Sequence, residues 1–341
     1  MAMTAFSDHR SPGSHSIVST MREDQSIVAC FVAHHLQAEV DEIFLFLDAP
    51  DPETEAMLAT TPRVRVTICT DAYWQTTPLG HRPDAVVRRQ LLNAEQARKW
   101  MRSDWLIHID SDEFLVSENS LRQELADLPM NVDLVRIRNL ERVFPQDFTP
   151  THVFQGMFRD QISGEPAEVE KVYGSSAMYL HNGLSGYSRG KTAMRSNSVR
   201  RPRLHPPRQQ AKDEPTAHVC ASTRLLHFDG FTPLHWVAKL LRRIDTNMTR
   251  GNTGRKNQIG YLKNATTVDQ QRDLFQQLMT LDHDRQRKLT EAGLLLTTDF
   301  NPLPAVGSVF PEYGFDVSPS SIDRRIVASN PERFKALNLS L

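Results

Sequence analysis

Three carboxylates closely follow an apolar run, and two of them are spaced so that they could share a metal ion. Residues 105–109 have the length and β-branched content of a buried strand, and Asp110, Asp112 and Glu113 come next. Burying three unpaired carboxylates costs more than a strand returns, so we expect the strand to end here. Carboxylates two residues apart can share one Mg²⁺ or Mn²⁺, which also takes oxygens from a substrate phosphate. The alternative interpretation is a polar strand exit without a metal.

The segments before this stretch alternate between the two kinds of secondary structure. Connections this short suit parallel crossovers, so the pattern predicts an α/β fold with a mostly parallel central sheet flanked by helices. Parallel strands end at one edge of a sheet, where ligands bind. That edge would bring residues 20–23, Asp48 and the acidic stretch together. The predicted strands are residues 16–20, 42–47 and 64–68, and the predicted helices are residues 24–36, 51–58 and 84–102.

Composition and charge exclude several classes of protein. Of the 341 residues, 39% are hydrophobic and 24% are charged, which is typical of a soluble globular protein. The net charge of -1 gives no global attraction to nucleic acid. Three well-separated cysteines without metal-type spacing favour a reduced, cytoplasmic compartment. We find no signal peptide and no stretch that approaches the roughly 18–20 apolar residues of a membrane span.

The chain divides into three predicted regions. Residues 1–14 are expected to be a disordered leader, residues 15–234 an α/β domain, and residues 235–341 a helical extension with an irregular tail from Asp299. Within the domain, residues 173–180 are a predicted edge strand, and the proline-rich loop at about residues 204–222 is predicted to be mobile. The amphipathic helix from His235 either covers the sheet or makes a peripheral contact with the inner face of a membrane.

A glycine- and arginine-rich stretch, residues 186–203, carries a second candidate site. Its Lys191 and Arg195 would clamp a diphosphate or an anionic acceptor. The string GYSRGKT lacks the full glycine spacing of a phosphate-binding loop, and no strand clearly precedes it. A solvated basic loop and RNA binding are the alternatives, and Tyr187 is the one aromatic residue in support of RNA.

Residues ~16–245 resemble the glycosyltransferase family 2-like proteins with a GT-A fold. The resemblance rests on MRE at residues 21–23, AHHL at residues 33–36 and the D-x-D-E-F string at residues 110–114. It is closest to the bacterial subgroup with a D-x-D-E-F metal motif. It implies a Rossmann-like sheet and the transfer of a hexosyl group, with inversion, from a nucleotide-sugar donor. The acceptor would be a hydroxyl of a glycan, a lipid-linked or another molecule, as in cell-surface polysaccharide or glycoconjugate synthesis.

The same resemblance implies where the donor nucleotide binds. Thr20, Glu23 and Asp48 would contact the base and the ribose. Asn93 is a weaker candidate on the helix that precedes the acidic stretch. These residues would lie at the edge of the sheet that the strand order already favours.

For the metal, the resemblance implies a set of three ligands. Asp112 would be the principal ligand of Mn²⁺ or Mg²⁺, and Asp110 would bind through water or contact the ribose. His227, in the string LLHFDGF, would be a third ligand, or else a structural histidine. Glu113 is expected to brace the loop or a basic neighbour. The bound cation would stabilise the leaving nucleoside diphosphate.

The catalytic base is the remaining role to assign. Inverting transfer needs a carboxylate that takes the proton of the acceptor hydroxyl. Glu141 and Asp229 are the candidates, with Asp160 a third, and Glu141 is favoured because it follows a strand. Two other functions stay open: a metal-dependent nucleotidyltransferase, and a non-catalytic nucleotide-binding module on the same fold.

Overall fold

The computed structural model describes residues 11–49, 51–206, 217–245, 251–265, 267–329 and 331. Its strands are β1 His15–Met21, β2 Glu42–Leu47, β3 Val64–Ile68, β4 Trp105–His108, β5 Glu113–Ser117, β6 Leu134–Ile137, β7 Asn139–Pro145, β8 Met157–Arg159, β9 Lys191–Arg195, β10 His218–Val219, β11 Thr223–His227, β12 Thr280–Leu281 and β13 Leu295–Thr297. Its α-helices are α1 Gln25–Gln37, α2 Pro52–Ala59, α3 Asp71–Gln75, α4 Val86–Trp100, α5 Leu121–Asp127, α6 Pro166–Tyr173, α7 Pro233–Asp245, α8 Thr253–Asn264, α9 Val268–Met279, α10 His283–Glu291, α11 Leu303–Val309 and α12 Pro319–Ser329.

A seven-stranded sheet in the order β10-β6-β9-β4-β1-β2-β3 forms the centre of the fold. The pairs β4–β1, β1–β2, β2–β3 and β6–β10 are parallel, whereas β9 runs antiparallel to both β4 and β6. This arrangement confirms the predicted α/β class with a mostly parallel sheet. It also places the carboxyl ends of β1, β2 and β4 at one edge.

Helices cover both faces of this sheet because side chains alternate along its strands. On β2, Leu45 packs in one core with Phe31 of α1. The next residue, Phe46, points to the opposite face and packs with Ala97 of α4. Asp24 caps α1, as the sequence predicts, by accepting a hydrogen bond from the backbone N–H of Ser26.

A second sheet, in the order β13-β8-β7-β11-β5, lies beside the first, with β12 paired to β7. The sequence pattern did not predict this sheet. The predicted break after residue 109 is confirmed, since β4 ends at His108. The chain then resumes as β5 at Glu113, so the acidic stretch is the crossing point between the two sheets.

Several predicted elements are wrong. Residues 173–180 form the end of α6 and a 3-10 helix, Gly174–Tyr179, instead of an edge strand. The tail after Asp299 is not irregular throughout, because it contains α11 and α12. Helix α4 begins at Val86 instead of residue 84, and although the helical spacing of its apolar residues predicts an inward-facing Val86, that side chain is exposed. The predicted basic loop contains the buried strand β9.

The structure describes only part of the predicted leader and of the predicted mobile loop. Residues 1–10 of the predicted leader and residues 207–216 of the predicted mobile loop lie outside the described residues. Ser14 is buried, and its backbone oxygen accepts hydrogen bonds from the N–H groups of Asp104 and Trp105. The chain is therefore packed against the sheet from just before β1.

The C-terminal helices α7 and α9 pack against the second sheet and share a buried cluster with it. Trp236 and Leu240 of α7 are buried with Leu278 of α9 in one cluster that also includes Val143 of β7. The apolar face of α7 is therefore occupied by protein and is not available for a membrane contact. None of the helices in the described part of the chain has the length and apolarity needed to span a bilayer.

Candidate functional site

Helix α4 connects the carboxyl ends of two neighbouring strands. The side-chain amide of Asn93 donates to the hydroxyl oxygen of Thr20 over 2.8 Å, near the end of β1. One turn earlier, the amide of Gln90 donates to Oδ1 of Asp110 over 2.6 Å, just after β4. Tyr73 donates its hydroxyl to Oδ1 of Asn93 over 2.6 Å. The structure thus brings Thr20, Asn93 and Asp110 to one polar edge.

Asp48, after β2, belongs to the same edge. The guanidinium of Arg89, also on α4, lies 3.1 Å from Oδ2 of Asp48, and that of Arg82 lies 2.9 Å from the same oxygen. The other oxygen, Oδ1, is buried and takes no hydrogen bond from any residue that the structure describes. Arg89 therefore extends the contacts of α4 to a third strand end.

Lys191 of β9 lies buried among the acids that follow β4. Its ammonium forms an ion pair with Oδ2 of Asp110 and lies 3.1 Å from Oε2 of Glu113. Glu113 also accepts hydrogen bonds from the backbone N–H of Asp110, over 2.7 Å, and from the hydroxyl of Tyr187. Glu113 therefore braces this loop and a basic neighbour, in agreement with the sequence prediction.

The ionisation of this cluster follows from its burial and its pairing. Burial alone would raise the pKa of Asp110, but the adjacent Lys191 outweighs it and holds that pKa well below its usual range. Burial would lower the pKa of Lys191, and Asp110 and Glu113 instead raise it. Burial, followed by the charge on Asp110, raises the pKa of Glu113 despite Lys191. The lysine and Asp110 are therefore charged at neutral pH.

Asp112 pairs with a different lysine, which comes from α7. The ammonium of Lys239 forms a hydrogen-bonded ion pair with Oδ2 of Asp112. Nε2 of His227 lies 3.8 Å from the same oxygen. Asp112, which lies between β4 and β5, therefore contacts a residue of α7 and lies close to a residue of β11.

His227 lies between two acids because of the strand register. It is paired with Glu113 on β5 and with Glu141 on β7, so the three side chains form a row across the second sheet. Its Nδ1 lies 3.8 Å from Oε2 of Glu141, which is too long for a hydrogen bond. Burial would lower the pKa of His227, but the neighbouring carboxylates, Glu141 and then Asp112, raise it. This environment favours the imidazolium form.

Glu141 is an interior residue. Arg159 donates to its Oε1 over 2.6 Å, and both side chains are 0% exposed. The backbone N–H groups of Ser185 and Gly186 donate to its two oxygens over 2.7 Å each. A Cβ on Gly186 would lie 2.7 Å from Cε1 of His227, so this loop can approach the row closely because it has a glycine there. Both oxygens of Glu141 are engaged, and none of its surface is left for an acceptor.

Asp229, the other candidate base, is fixed at one oxygen. Its Oδ2 accepts hydrogen bonds from the guanidinium of Arg255 over 2.8 Å, the hydroxyl of Ser185 over 2.9 Å and the indole N–H of Trp236 over 3.1 Å. Burial would raise its pKa, but Arg255 and Lys239 outweigh it and hold the pKa well below its usual range. Asp229 is therefore ionised at neutral pH.

Glu23 connects the end of β1 to the acidic stretch. Its Oε1 accepts a hydrogen bond from the hydroxyl of Ser111 over 3.1 Å, and Nε2 of His235 lies 3.7 Å from its Oε2. Burial raises the pKa of Glu23, although Arg242 and Lys239 act in the opposite direction. A cavity of about 570 Å³ opens beside Glu23, and Phe231 is among the residues that line it.

Arg195 does not reach this cluster. Strand β9 is antiparallel to β4, so Lys191 lies at the carboxyl edge of β4 whereas Arg195 is paired with Trp105 at its opposite end. There its guanidinium contacts Asp104 at 2.9 Å and lies 4.2 Å from the centre of the Trp105 ring. The clamp predicted from Lys191 and Arg195 is not formed by both residues.

The residues predicted to hold a metal do not fit a cation in this arrangement. Asp110 has one oxygen on Gln90 and the other on Lys191. Asp112 is paired with Lys239 at the oxygen nearest to His227. Across the described ranges, no group of three or more histidine, cysteine or acidic side chains is arranged to hold a metal ion. Mn²⁺ or Mg²⁺ remains a prediction that these contacts do not favour.

Sequence reasoning missed Lys239, the acids' second basic partner. In the sequence it lies with Arg242 and Arg243 beside the apolar face of the helix from His235, which is predicted either to cover the sheet or to touch a membrane. The available signal was its immediate context: Val237, Ala238, Leu240 and Leu241 surround it, so it lies near the buried side of the helix. A lysine in such a position needs a carboxylate partner.

His108 gives a pH-dependent prediction. Neither of its buried ring nitrogens has a hydrogen-bond partner in the described ranges, and burial, reinforced by Lys191, lowers its pKa to about 3. An unfolded chain binds this proton near pH 6.5, so the neutral histidine contributes stability above that pH, and the contribution is lost as the pH falls. We expect His108 to lower the free energy of unfolding by about 2 kcal/mol between pH 7 and pH 5.

Urea unfolding at the two pH values tests this expectation. The difference in the free energy of unfolding between pH 7 and pH 5 should shrink by about that amount in His108→Leu. The other histidines of the chain are unchanged in this variant, so their contribution to the difference remains. The matched control, His283→Leu, replaces a histidine whose side chain is highly exposed and should keep the wild-type difference. An equal pH difference in wild type and His108→Leu would contradict the prediction.

Comparisons with known proteins provide one sequence relative. No family model matches the chain. The chain is 28% identical over 202 residues to a protein of Arabidopsis thaliana that is named glycosyltransferase-like, and the match covers 50% of this chain. It covers 44% of that protein, so the chain spans less than half the length of this relative.

Comparison with solved structures finds weaker likenesses. The chain is similar to S. aureus TarS 1–349, with 12% identity and a TM-score of 0.29, over 73% of this chain and 70% of that one. The same protein in complex with UDP-GlcNAc gives 11% identity and a TM-score of 0.31, again over 73% and 70%. HddC from Yersinia pseudotuberculosis gives 10% identity and a TM-score of 0.27, over 38% of this chain and 60% of that one. Scores this low do not establish a common fold.

Proposed function

We propose that this chain transfers a sugar from a nucleotide-sugar donor to a hydroxyl group of an acceptor. The observation that carries the proposal is the polar edge that α4 forms with the ends of three parallel strands, directly beside the cluster of lysines and acids. The resemblance of the acidic motif and the glycosyltransferase-like relative support the same reaction class.

The nucleotide would bind at the α4 end of this edge. Thr20 and Asp48 present a hydroxyl and a carboxylate there, and the buried amide of Asn93 positions the Thr20 hydroxyl. A buried acceptor without a donor costs about 1–3 kcal/mol, and Oδ1 of Asp48 is such an atom among the described residues. A ribose hydroxyl or a base N–H would satisfy it.

The transfer itself breaks one bond and forms one. The bond between the anomeric carbon and the β-phosphate oxygen breaks, and its electron pair stays on the leaving diphosphate. The acceptor oxygen bonds to the anomeric carbon and gives its proton to a carboxylate. We assign that carboxylate to Asp229, because both oxygens of Glu141 are engaged in the interior. Positive charge beside Asp110 and Asp112 would stabilise the leaving group.

We place the acceptor in the cavity beside Glu23. This cavity has a mixed lining that includes the apolar side chains of Phe231 and Phe315 and the guanidinium of Arg242. Glu23 connects it to the acidic stretch through Ser111. Such a lining suits a glycan or a lipid-linked acceptor, which presents both apolar and hydroxyl surface. Cell-surface polysaccharide or glycoconjugate synthesis is the process that such an acceptor implies.

The experiment that tests the function is a donor screen followed by product analysis. Thermal unfolding is measured with UDP-, GDP-, CDP- and ADP-sugars, because a bound donor stabilises the fold. The stabilising donor is then incubated with the protein, and the products are separated. Release of the nucleoside diphosphate and free sugar is expected. A parallel incubation supplies nucleoside triphosphates and sugar 1-phosphates, and release of pyrophosphate there would replace the proposal with nucleotidyl transfer. Stabilisation without turnover in either incubation would indicate a binding module.

The proposal extends to hexosyl transfer with inversion, which rests on the resemblance of the acidic motif. A single displacement by the acceptor inverts the anomeric carbon, whereas a double displacement retains its configuration. Proton NMR of the first product formed from an α-linked hexose donor distinguishes the two. An α-configured product would contradict inversion.

A further inference from the structure

Two lysines occupy the carboxylates that were predicted to bind a metal. Lys191 reaches Asp110 from β9, and Lys239 reaches Asp112 from α7. The two come from segments that are separated in sequence, and they pair with different acids of the stretch. The fold therefore delivers two positive charges to the place where a divalent cation would deliver the same number.

The two lysines differ in how accessible they are. The side chain of Lys191 is 1% exposed and is held by both Asp110 and Glu113. The side chain of Lys239 is 24% exposed, and the described residues give its ammonium one hydrogen-bond acceptor, on Asp112. An ammonium has three donors. Lys239 can therefore keep its contact with Asp112 and donate to a phosphate oxygen as well.

Further positive charge lies on the same side of α7. Arg243 is one turn beyond Lys239 and is close enough to interact electrostatically with Asp110, Asp112 and Asp229. Arg242 interacts in the same way with Glu23. Residues three and four apart share a helix face. Helix α7 therefore presents a basic strip, Lys239, Arg242 and Arg243, toward the acids.

We propose that Lys239, supported by Lys191, binds the diphosphate of the donor and takes the place of a metal ion, so that donor binding and transfer need no divalent cation. This inference rests on the proposed function. In the transfer, the ammonium of Lys239 donates to the β-phosphate oxygen as negative charge develops there, and the proton stays on the lysine. Asp112 is then a positioning residue that holds Lys239 at the edge of the sheet.

The first experiment needs no variant. Binding of UDP, GDP, CDP and ADP to the wild-type chain is measured by titration calorimetry, once in EDTA and once in MnCl₂. We expect one of them to bind in EDTA with an affinity within about threefold of that in Mn²⁺, which is less than 1 kcal/mol. Binding that requires Mn²⁺ would overturn the inference and leave the proposed function intact. No binding in either buffer would overturn the proposed function.

The second experiment removes the charge. Lys239→Gln should weaken binding of that nucleoside diphosphate in EDTA by about 10- to 100-fold, the effect of losing one charged hydrogen bond. Lys239→Arg keeps the charge and should restore most of the affinity. Lys263→Gln removes an exposed lysine of α8 and should bind as the wild type does. Circular dichroism and thermal unfolding verify that each variant is folded. Wild-type affinity in Lys239→Gln would contradict the proposal.

Discussion

Replacing Glu141 with alanine is expected to lower the free energy of unfolding by about 3–5 kcal/mol. The change leaves the guanidinium of Arg159 charged and fully buried without its carboxylate. It also removes the acceptor for the backbone N–H groups of Ser185 and Gly186. Breaking a buried pair from one side costs more than the pair contributes as a whole, because an uncompensated charge remains. Urea unfolding followed by circular dichroism measures the loss.

Two comparison variants test whether the loss of stability comes from breaking the buried ion pair. Glu168→Ala removes the carboxylate of an exposed pair with Lys171 and should change the stability by less than about 1 kcal/mol. Glu141→Gln keeps an acceptor in the same position and should lose less than the alanine variant. If Glu141→Ala were as stable as Glu168→Ala, Glu141 would not hold the loop in the way that its contacts indicate. Its role as a catalytic base would then be open again.

The parallel half of the fold was predictable because its signals are local. The strands around residues 16–20, 42–47 and 64–68 are short apolar runs, and the helices between them repeat apolar residues at helical spacing. Short connections then required parallel pairing. The position of Asp48 and Asp110 at one edge follows from that pairing alone, without any knowledge of tertiary contacts.

Strand β9 was not predictable in the same way. Its sequence, KTAMR, begins and ends with a cation, which is typical of a loop, yet all five residues are buried. Lys191 is tolerated there because Asp110 and Glu113 neutralise it, and Arg195 because Asp104 does. Those partners are 78 to 91 residues away along the chain, so no local pattern contains them. The second sheet was missed for a related reason, since β5 begins with the buried acid Glu113.

The candidate site was also predictable only where its residues are close together in the sequence. Sequence reasoning found the acids Asp110 and Asp112, whose clustering is visible in the chain. It did not find that Lys239 would face them, since this depends on how α7 packs against the second sheet. An acidic motif by itself indicates a need for positive charge. Whether a metal or a lysine supplies that charge is decided by tertiary structure.

Replacing Asp112 with asparagine is expected to lower kcat for donor hydrolysis by about 100- to 1000-fold, the usual effect of losing one positioned electrostatic contact to the leaving group. The amide keeps the size of the side chain but no longer attracts the ammonium of Lys239. Since the lysine side chain is partly exposed, it can turn toward water, and the fold should keep its thermal stability. Steady-state kinetics with the donor identified by the screen measure the effect.

The matched control for Asp112→Asn is a change at Asp104, because Asp104 precedes β4 whereas Asp112 follows it. Asp104 precedes β4 and pairs with Arg195 at 2.9 Å, so Asp104→Asn also removes a carboxylate from a cation, but at the edge opposite the site. Activity should be retained in this variant and lost in Asp112→Asn. Equal activity in the two variants would exclude Asp112 from the machinery. A similar loss in Asp112→Asn and Lys239→Gln, with no further loss in the double variant, would indicate that the two residues act as one unit, as their contact predicts.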